Sequence, residues 1–188
     1  RGPVRASIKN LIAVLRDQDR KTEWMGNCVA NHAVQYVSDK RMILYNRVGS
    51  PAPLVDDRDV VLESEASFDL ATRTVELRFR ETTHPKMPPV EGVVRMPKTR
   101  GFWRLEYRGP ELTEVTYQVQ ADPGGSLPQW LVNWASKGLP HQTIMGLRRQ
   151  ATRGGYEQQL AYLEAAYDWE SLEAQARALA THTSTRAK

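Results

Sequence analysis

The chain has little capacity for cross-linking through sulfur or metal. Of its 188 residues only one is a cysteine, Cys28, and its four histidines are scattered. A single thiol cannot form a disulfide within the chain, and zinc sites need several closely spaced cysteine or histidine ligands. We therefore expect no internal disulfide, no metal site and no cofactor. A single cysteine also favours a reducing compartment.

Long hydrophobic runs and long basic runs are also missing from the sequence. No apolar stretch approaches the roughly 20 residues that span a bilayer. The chain is therefore predicted to be soluble, in either the cytoplasm or the periplasm. The net charge is +4, but the arginines are dispersed, whereas nucleic-acid-binding domains concentrate theirs in one stripe. We predict no nucleic-acid partner and assign the charge to solvated faces, with attraction to anionic lipid headgroups as the alternative.

Patterns that carry catalysis are weak. Cys28 and His32 are four residues apart, a spacing that would make them neighbours on a helical turn. Neither a third catalytic group nor an oxyanion loop accompanies them, so a buried thiol is the better interpretation. The glycines after Asp122 and Pro123 lack the lysine of a phosphate-binding loop. The sequence thus predicts a protein without enzymatic activity.

Alternating apolar and polar residues predict a series of strands. The clearest lies at 72–82, with Val75, Leu77 and Phe79 on the face predicted to be buried. Short connections join the segments, and parallel strands would need long crossovers, so the pattern indicates an antiparallel meander. Its strands are predicted at 33–38, 41–48, 58–68, 72–82, 92–96, 102–108 and 115–120.

Helical patterns occupy both ends of the chain. Ser7 can cap a helix that runs to about Leu15. After the last strand, residues 122–128 turn the chain through two glycines and a proline into an amphipathic segment. A helix is predicted from Pro140 to about Arg153. Gly154-Gly155 is predicted to break or kink it, and further helical segments are predicted at 156–167 and 171–180, before a frayed tail at 181–188.

A sheet of this kind is apolar on one face, and the C-terminal helices are the available cover. If the sheet curls strongly around the helix, an apolar tunnel remains, lined by inward aromatic residues such as Phe79, Trp103 and Tyr117. A solid core is the alternative, because protein interiors are normally close packed. Periodicity alone does not decide between the two.

A series of short motifs resembles the START domain of lipid-transfer proteins. Between about Ala6 and Arg153 the order and spacing match for Asp17…Asp19-Arg20…Trp24, Tyr45, Pro53…Arg58-Asp59, His84-Pro85…Pro88, Val94-Arg95, Thr116-Tyr117, Asp122-Pro123-Gly124-Gly125…Pro128 and Asn133. No single element is specific, but the combination of RD, VR and D-x-x-G-x-x-P is. Residues 1–153 are therefore identified as a START-like domain of bacterial type, and 154–188 as a C-terminal helical extension and tail.

The resemblance implies an α+β helix-grip fold, in which a curved antiparallel sheet wraps around a long C-terminal helix and encloses one lipid. Extra C-terminal helical segments follow here. The family has a further helix and two strands before the position equivalent to Val4, and the chain begins at Arg1 without them. We therefore expect a fragment or a truncated domain. One edge of the sheet would be exposed or covered by the extra helices.

The resemblance also places the lid and the ligand. The lid would be the loop at 49–57 together with the helix at 140–153. Leu54 and Val55 in that loop are apolar, which suits contact with a membrane; a loop folded back on the core is the alternative. The Arg58-Asp59 pair is interpreted as structural, fixing the start of its strand through ion pairing.

Cholesterol carriers of the family hold a glutamate and an arginine in the tunnel, and counting from Arg58-Asp59 places Tyr45 and Ser64 at those positions. Recognition here would therefore use hydroxyl groups. The predicted ligand-binding residues are Tyr45, Leu54, Ser64, Leu77, Phe79, Trp103, Leu105, Tyr117, Val119, Thr143, Leu147 and Ala151.

The predicted function is the non-enzymatic binding and transfer, or sensing, of a single lipid whose apolar surface is removed from water. Because the sequence places little charge inside, a sterol-like or other weakly polar lipid is slightly favoured. The alternatives are a phospholipid-binding START module, a helix-grip enzyme such as a polyketide cyclase, and an interaction module built on 156–180. The protein is predicted to act as a monomer with a lipid ligand and transient membrane contact.

Overall fold

One curved sheet and three α-helices make up the computed structural model, which describes residues 1–169 together with 171, 174 and 175. The strands are β1 (Gly2–Val4), β2 (Cys28–Tyr36), β3 (Arg41–Val48), β4 (Asp57–Asp69), β5 (Thr74–Glu81), β6 (Val93–Arg95), β7 (Lys98–Gly109) and β8 (Leu112–Asp122). The helices are α1 (Ile8–Arg16), α2 (Gln129–Gln150) and α3 (Glu157–Ala166), with a 3₁₀ turn at Lys21–Glu23. The predicted α+β helix-grip fold is confirmed.

The strand order along the sheet is β1-β8-β7-β5-β4-β3-β2, and every neighbouring pair on this path is antiparallel. The exception to the predicted meander is β6, which pairs in parallel with the start of β4. Here the proline-rich segment after β5 returns the chain beside residues 57–59. Strand β2 begins five residues earlier than predicted, because register shifts at 28/30 and 33/35 interrupt its alternation.

Cys28 and His32 lie on strand β2, so the predicted helical turn between them is wrong. The Cys28 side chain is buried, and its sulfur accepts a hydrogen bond from Asn46 Nδ2 at 3.3 Å. Burial raises the pKa of the Cys28 thiol, which keeps it protonated. His32 is exposed and its ring lies beside Tyr45. The interpretation of Cys28 as a buried thiol is confirmed.

Helix α1 fills one end of the inner face of the sheet. Ser7 caps it as predicted, since Ser7 Oγ accepts a hydrogen bond from the Asn10 backbone N–H at 3.1 Å. Every residue from Leu11 to Leu15 is buried, so the helix is enclosed on nearly all sides. These residues form one core cluster with inward residues of β5, β7 and β8 and with Leu147 of α2.

Helix α2 runs without interruption across the open end of the sheet, so the predicted helix start at Pro140 is wrong: Pro140 lies inside α2. Proline has no backbone N–H, so its helix hydrogen bond to residue 136 is missing, while the flanking turns maintain the helix. Gly146 lets α2 approach the segment before β2. A Cβ atom there would lie 1.8 Å from the Trp24 carbonyl oxygen.

Helix α3 packs on α1. Gly154 and Gly155 end α2 in the left-handed region that glycine tolerates, as predicted. Leu163 of α3 is buried in the main core cluster, and Lys9 of α1 binds Glu164. Part of the apolar side of α3 is therefore buried within the chain, and an interaction module built on 156–180 stays an untested alternative. The predicted segment at 171–180 falls almost wholly outside the described residues, and the tail at 181–188 falls entirely outside them.

An ion pair on the outer face of the sheet holds β6 against β4. Asp59 is fully buried, and the Arg95 guanidinium binds both of its carboxylate oxygens, at 2.6 and 3.0 Å. Arg95 also donates to the carbonyl oxygens of Met87 and Pro88. The structural ion pairing predicted at Arg58-Asp59 is therefore formed by Asp59, and its partner is Arg95. Adjacent strand residues point to opposite faces, and Arg58 points inward.

We predict that Arg95→Met lowers the free energy of unfolding by about 3–5 kcal/mol, because the buried Asp59 carboxylate would lose its cation. Arg80→Met is the matched control. Arg80 also binds a glutamate, Glu63, but its side chain is 73% exposed, and a pair of this kind contributes below about 1 kcal/mol. Urea denaturation of both variants measures the difference. Equal losses would contradict a special role for the Asp59–Arg95 pair.

Candidate functional site

A cavity of about 310 Å³ lies between the inner face of the sheet and the N-terminal part of α2. Its volume falls in the range of about 300–1,000 Å³ that is typical of small-molecule sites. Its wall is mainly apolar, and α2 contributes a stripe at helical spacing, consisting of Leu131, Ala135, Leu139 and Thr143. The sequence pattern left a solid core and an apolar tunnel as alternatives, and the structure contains an internal cavity.

The cavity begins where helix α1 ends its contact with the sheet. On three strands the cavity wall begins one inward residue beyond a residue that does not line it: Leu77 after Val75 on β5, Trp103 after Leu105 on β7, and Tyr117 after Val115 on β8. The inner face is therefore continuous, but α1 covers only one end of it. At the other end α2 alone spans the curved sheet, and a gap remains.

Most of the predicted ligand-binding residues line this cavity. The wall includes Ser64, Leu77, Phe79, Trp103, Tyr117, Val119 and Thr143. Trp103 and Tyr117 are cross-strand partners whose rings stack at a centroid distance of 4.0 Å. Burial raises the pKa of Tyr117, so its hydroxyl stays protonated near neutral pH. Contact of these residues with a lipid stays a prediction.

Three predicted residues lie in the solid core. Leu105 and Leu147 are fully buried in the cluster around α1, and Ala151 packs against it. All three continue periodic patterns that do line the cavity, on β7 and on α2. The patterns indicate correctly which face each residue occupies, but they carry no information about where α1 stops. These residues therefore belong to the core and not to the cavity wall.

Tyr45 and Leu54 also lie outside the cavity wall. Residues 42, 44, 46 and 48 of β3 point into the cavity, so Tyr45 points to the outer face, near Asp59. Its burial there and the nearby carboxylate raise the pKa of Tyr45 to about 12. Counting without regard to strand parity caused this error. Leu54 is fully exposed at the tip of the 49–57 loop.

Polar residues in the wall include two cations that sequence reasoning missed, Lys21 and Arg58. The signal for Arg58 was present, because it shares parity on β4 with the inward residues Val60, Leu62 and Ser64. Arg58 donates to the carbonyl oxygens of Pro123 and Asp56, between the 49–57 loop and the turn before α2. Lys21 lies in a 3₁₀ turn, where no periodic signal indicates which side chains point inward.

The Lys21 ammonium is held deep in the protein. The residue is only 7% exposed; its Nζ donates to the Leu15 carbonyl oxygen at 2.8 Å and lies 4.7 Å from the centre of the Trp24 ring. Burial lowers the pKa of Lys21 to about 7, and the electrostatic influence of Cys28 and Asp17 opposes this only in part. The cation therefore loses hydration without gaining a close carboxylate partner among the described residues.

Three amide side chains continue the polar part of the wall beside Lys21. Asn31 Nδ2 donates to the backbone and side-chain oxygens of Gln18, at 2.8 and 3.1 Å. Asn46 Nδ2 donates to Asn31 Oδ1 at 3.2 Å and to Cys28 sulfur. Gln18 Nε2 donates to the carbonyl oxygens of Leu15 and Arg16. The donor groups of these amides are thus already engaged with protein acceptors.

The mouth of the cavity lies between the 49–57 loop and the start of α2. Gly49, Ser50 and Pro51 line the cavity, while Leu54 beyond them is fully exposed. The Asp57 carboxylate ties down the base of the loop by accepting hydrogen bonds from the Ser50 backbone N–H and from Arg47. Trp130, on the first turn of α2, is 59% exposed. Two large apolar side chains therefore face solvent beside the opening.

The described residues contain no cluster of three or more histidine, cysteine, aspartate or glutamate side chains that could hold a metal ion. Within the same residues, no helix combines the length and apolar character needed to cross a bilayer.

An aromatase/cyclase from Streptomyces shares the fold, with 15% identity, coverage of 80% of this chain and 90% of that chain, and a TM-score of 0.54.

Comparison with known proteins identifies the family. The sequence model of the START domain matches residues 4–155. An uncharacterized Pseudomonas aeruginosa protein is 31% identical over 80% of this chain and 72% of its own length. Mouse phosphatidylcholine transfer protein is 27% identical over 70% of this chain and 61% of its own length. The structure of a STAR-related lipid transfer protein from Xanthomonas axonopodis superposes with a TM-score of 0.70 at 28% identity, covering 80% of this chain and 82% of that one. The chain belongs to the START domain family.

Proposed function

We propose that this START domain binds one amphiphilic lipid in the cavity and carries it between membrane surfaces, without chemical change. The observation that carries the proposal is the mainly apolar cavity of about 310 Å³ under the N-terminal part of α2. A void in a protein interior sacrifices packing contacts, so an unfilled one is unfavourable. A lipid chain would restore those contacts and would leave water, at about 0.8 kcal/mol per methylene group.

A phospholipid suits the cavity better than a sterol. The preference for a weakly polar lipid was based on an expected lack of internal charge, but Lys21 and Arg58 both line the wall. A sterol hydroxyl would leave these cations uncompensated, whereas a phosphate group would pair with one of them. The similarity to a phosphatidylcholine transfer protein supports the same lipid class.

Carriage is favoured over catalysis by the chemistry of the wall. Its residues include no histidine, aspartate or glutamate within the part of the chain that the structure describes. Cys28 is a protonated thiol bound by Asn46. The wall therefore offers apolar contact and hydrogen bonds but no paired acid and base, which a cyclase would need.

The opening is suited to a membrane surface. Leu54 and Trp130 project into solvent from the two segments that frame the mouth. Apolar side chains at such positions partition into the interface of a bilayer, with tryptophan favoured at the headgroup level. The gate would consist of the 49–57 loop and residues 129–143 of α2, because the later part of α2 is fixed in the core by Leu147.

We predict that Ser64→Trp lowers the amount of bound lipid about tenfold or more, because the indole would occupy space in the cavity. Ser67→Trp is the matched control, since Ser67 lies on the same strand with its side chain on the exposed outer face. Fluorescent phospholipid titration measures binding, and circular dichroism checks the fold. Undiminished binding in the folded Ser64→Trp variant would show that the lipid lies elsewhere.

We also predict that Leu54→Ala combined with Trp130→Ala slows lipid transfer between vesicles several-fold and leaves equilibrium binding unchanged. The reason is that both side chains lie outside the cavity but beside its mouth. The control is Val37→Ala combined with Leu112→Ala, which removes exposed apolar groups just after β2 and at the start of β8. A wild-type transfer rate in the Leu54/Trp130 variant would remove this surface from the mechanism.

A further inference from the structure

The charged residues of the cavity wall have one sign. Lys21 and Arg58 line the cavity, and no acidic side chain does so within residues 1–169, 171, 174 and 175. A zwitterionic headgroup brings a cation as well as an anion, and that cation would find no carboxylate in this wall. A headgroup with a net negative charge matches the wall without such a mismatch.

Lys21 is a buried wall residue with hydrogen-bond donors still available for an anion. An ammonium group has three N–H donors, and Lys21 uses one of them on the Leu15 carbonyl oxygen. The neighbouring amides of Gln18, Asn31 and Asn46 have each placed their NH₂ group on two protein acceptors. The amide network therefore fixes the wall around Lys21, and within this polar part of the wall the Lys21 ammonium keeps donors that can bind a guest.

The Lys21 charge also lacks a close counterion. No carboxylate lies within 4.0 Å of Nζ in the part of the chain that is described. Asp17, at the end of α1, is an acid whose charge acts on Lys21, but the Asp17 carboxylate accepts a hydrogen bond from the Arg20 backbone N–H. A buried charge without a partner is costly, and an anion entering the cavity would remove that cost.

On these grounds we propose that Lys21 forms an anion subsite inside the cavity, and that the natural lipid carries a net-negative oxyanion, a phosphate monoester or a carboxylate, bound by the Lys21 ammonium. This inference rests on the proposed function, since it names the headgroup of the lipid that the cavity holds. Arg58 lies at the mouth, between the 49–57 loop and Pro123, and serves as a second cation on the path of the anion.

Binding of an anion at this subsite is coupled to protonation of the Lys21 amine. In the empty cavity burial holds the pKa of Lys21 near 7, and the other titratable groups that act on it are Asp17 and Cys28. A bound oxyanion favours the charged ammonium and raises this pKa. Above pH 7 the protein must therefore take up a proton when the anion binds. For a lipid whose own charge stays constant, this linkage makes the affinity fall by up to about tenfold per pH unit above pH 7.

Four lipids with the same acyl chains test the proposal: dioleoyl phosphatidic acid, oleic acid, dioleoyl phosphatidylcholine and dioleoylglycerol. Binding to the delipidated full chain is measured by isothermal titration calorimetry at pH 8 in buffers of different ionisation enthalpy, which counts protons. We expect phosphatidic acid, oleic acid or both to bind at least tenfold more tightly than the other two, with uptake of close to one proton by the protein. The tighter of the two anions shows whether phosphate or carboxylate is the natural group.

Lys21→Met removes the ammonium and keeps an unbranched side chain of similar length. We expect it to lose the tenfold preference and the proton uptake and to retain binding of dioleoylglycerol. The control is Lys86→Met, the same substitution at an exposed residue outside the cavity. If Lys21→Met does not fold, the wild-type preference and proton count decide the question without it.

Three outcomes would overturn the subsite. Phosphatidylcholine binding wild type as tightly as the anions would refute it while leaving lipid carriage intact. Retention of the anion preference in folded Lys21→Met would place the anion elsewhere. Failure of all four lipids to bind would refute the proposed function together with the subsite.

Discussion

The hollow in this protein depends on how far one short helix extends over the sheet. Helix α1 is buried along its length and packs on β5, β7 and β8 at the level of Val75, Leu105 and Val115. One inward residue further along each strand, α1 no longer covers the same face, and α2 is the helix that spans it. The side chains of the curved sheet and of helix α2 do not fill the space between them completely, so a cavity remains. At Gly146 the backbone of α2 closely approaches Trp24, and this contact fixes the position of the C-terminal part of α2.

Buried charges on the two sides of the sheet differ in whether they have a partner of opposite charge. On the outer face the buried Asp59 is neutralised by Arg95, and this pair holds β6 in its parallel position beside β4. On the inner face Lys21 and Arg58 line the cavity and have no carboxylate partner within 4.0 Å in the described chain. A neutralised ion pair supports structure, whereas an uncompensated buried cation beside an empty space is typical of a site that awaits an anionic group.

Sequence reasoning succeeded where period and parity carry the information. Alternation identified the inner faces of β5, β7 and β8, and hence Leu77, Trp103 and Tyr117. It failed where the answer depended on tertiary arrangement: Leu105 and Leu147 continue the correct stripes but lie under α1. Tyr45 was misplaced because counting from a motif ignored strand parity. Lys21 was missed because a 3₁₀ turn has no periodic pattern, and the helix through Pro140 was missed because flanking turns outweigh one absent hydrogen bond.

The central claim is that the space beneath α2 is occupied by one lipid molecule. Native mass spectrometry of the protein, purified from cells without detergent, tests this claim directly, and solvent extraction then identifies whatever is bound. We expect the mass of the polypeptide plus one lipid, released as a single species when the protein is unfolded. Only the mass of the bare polypeptide, before and after incubation with phospholipid vesicles, would contradict the claim.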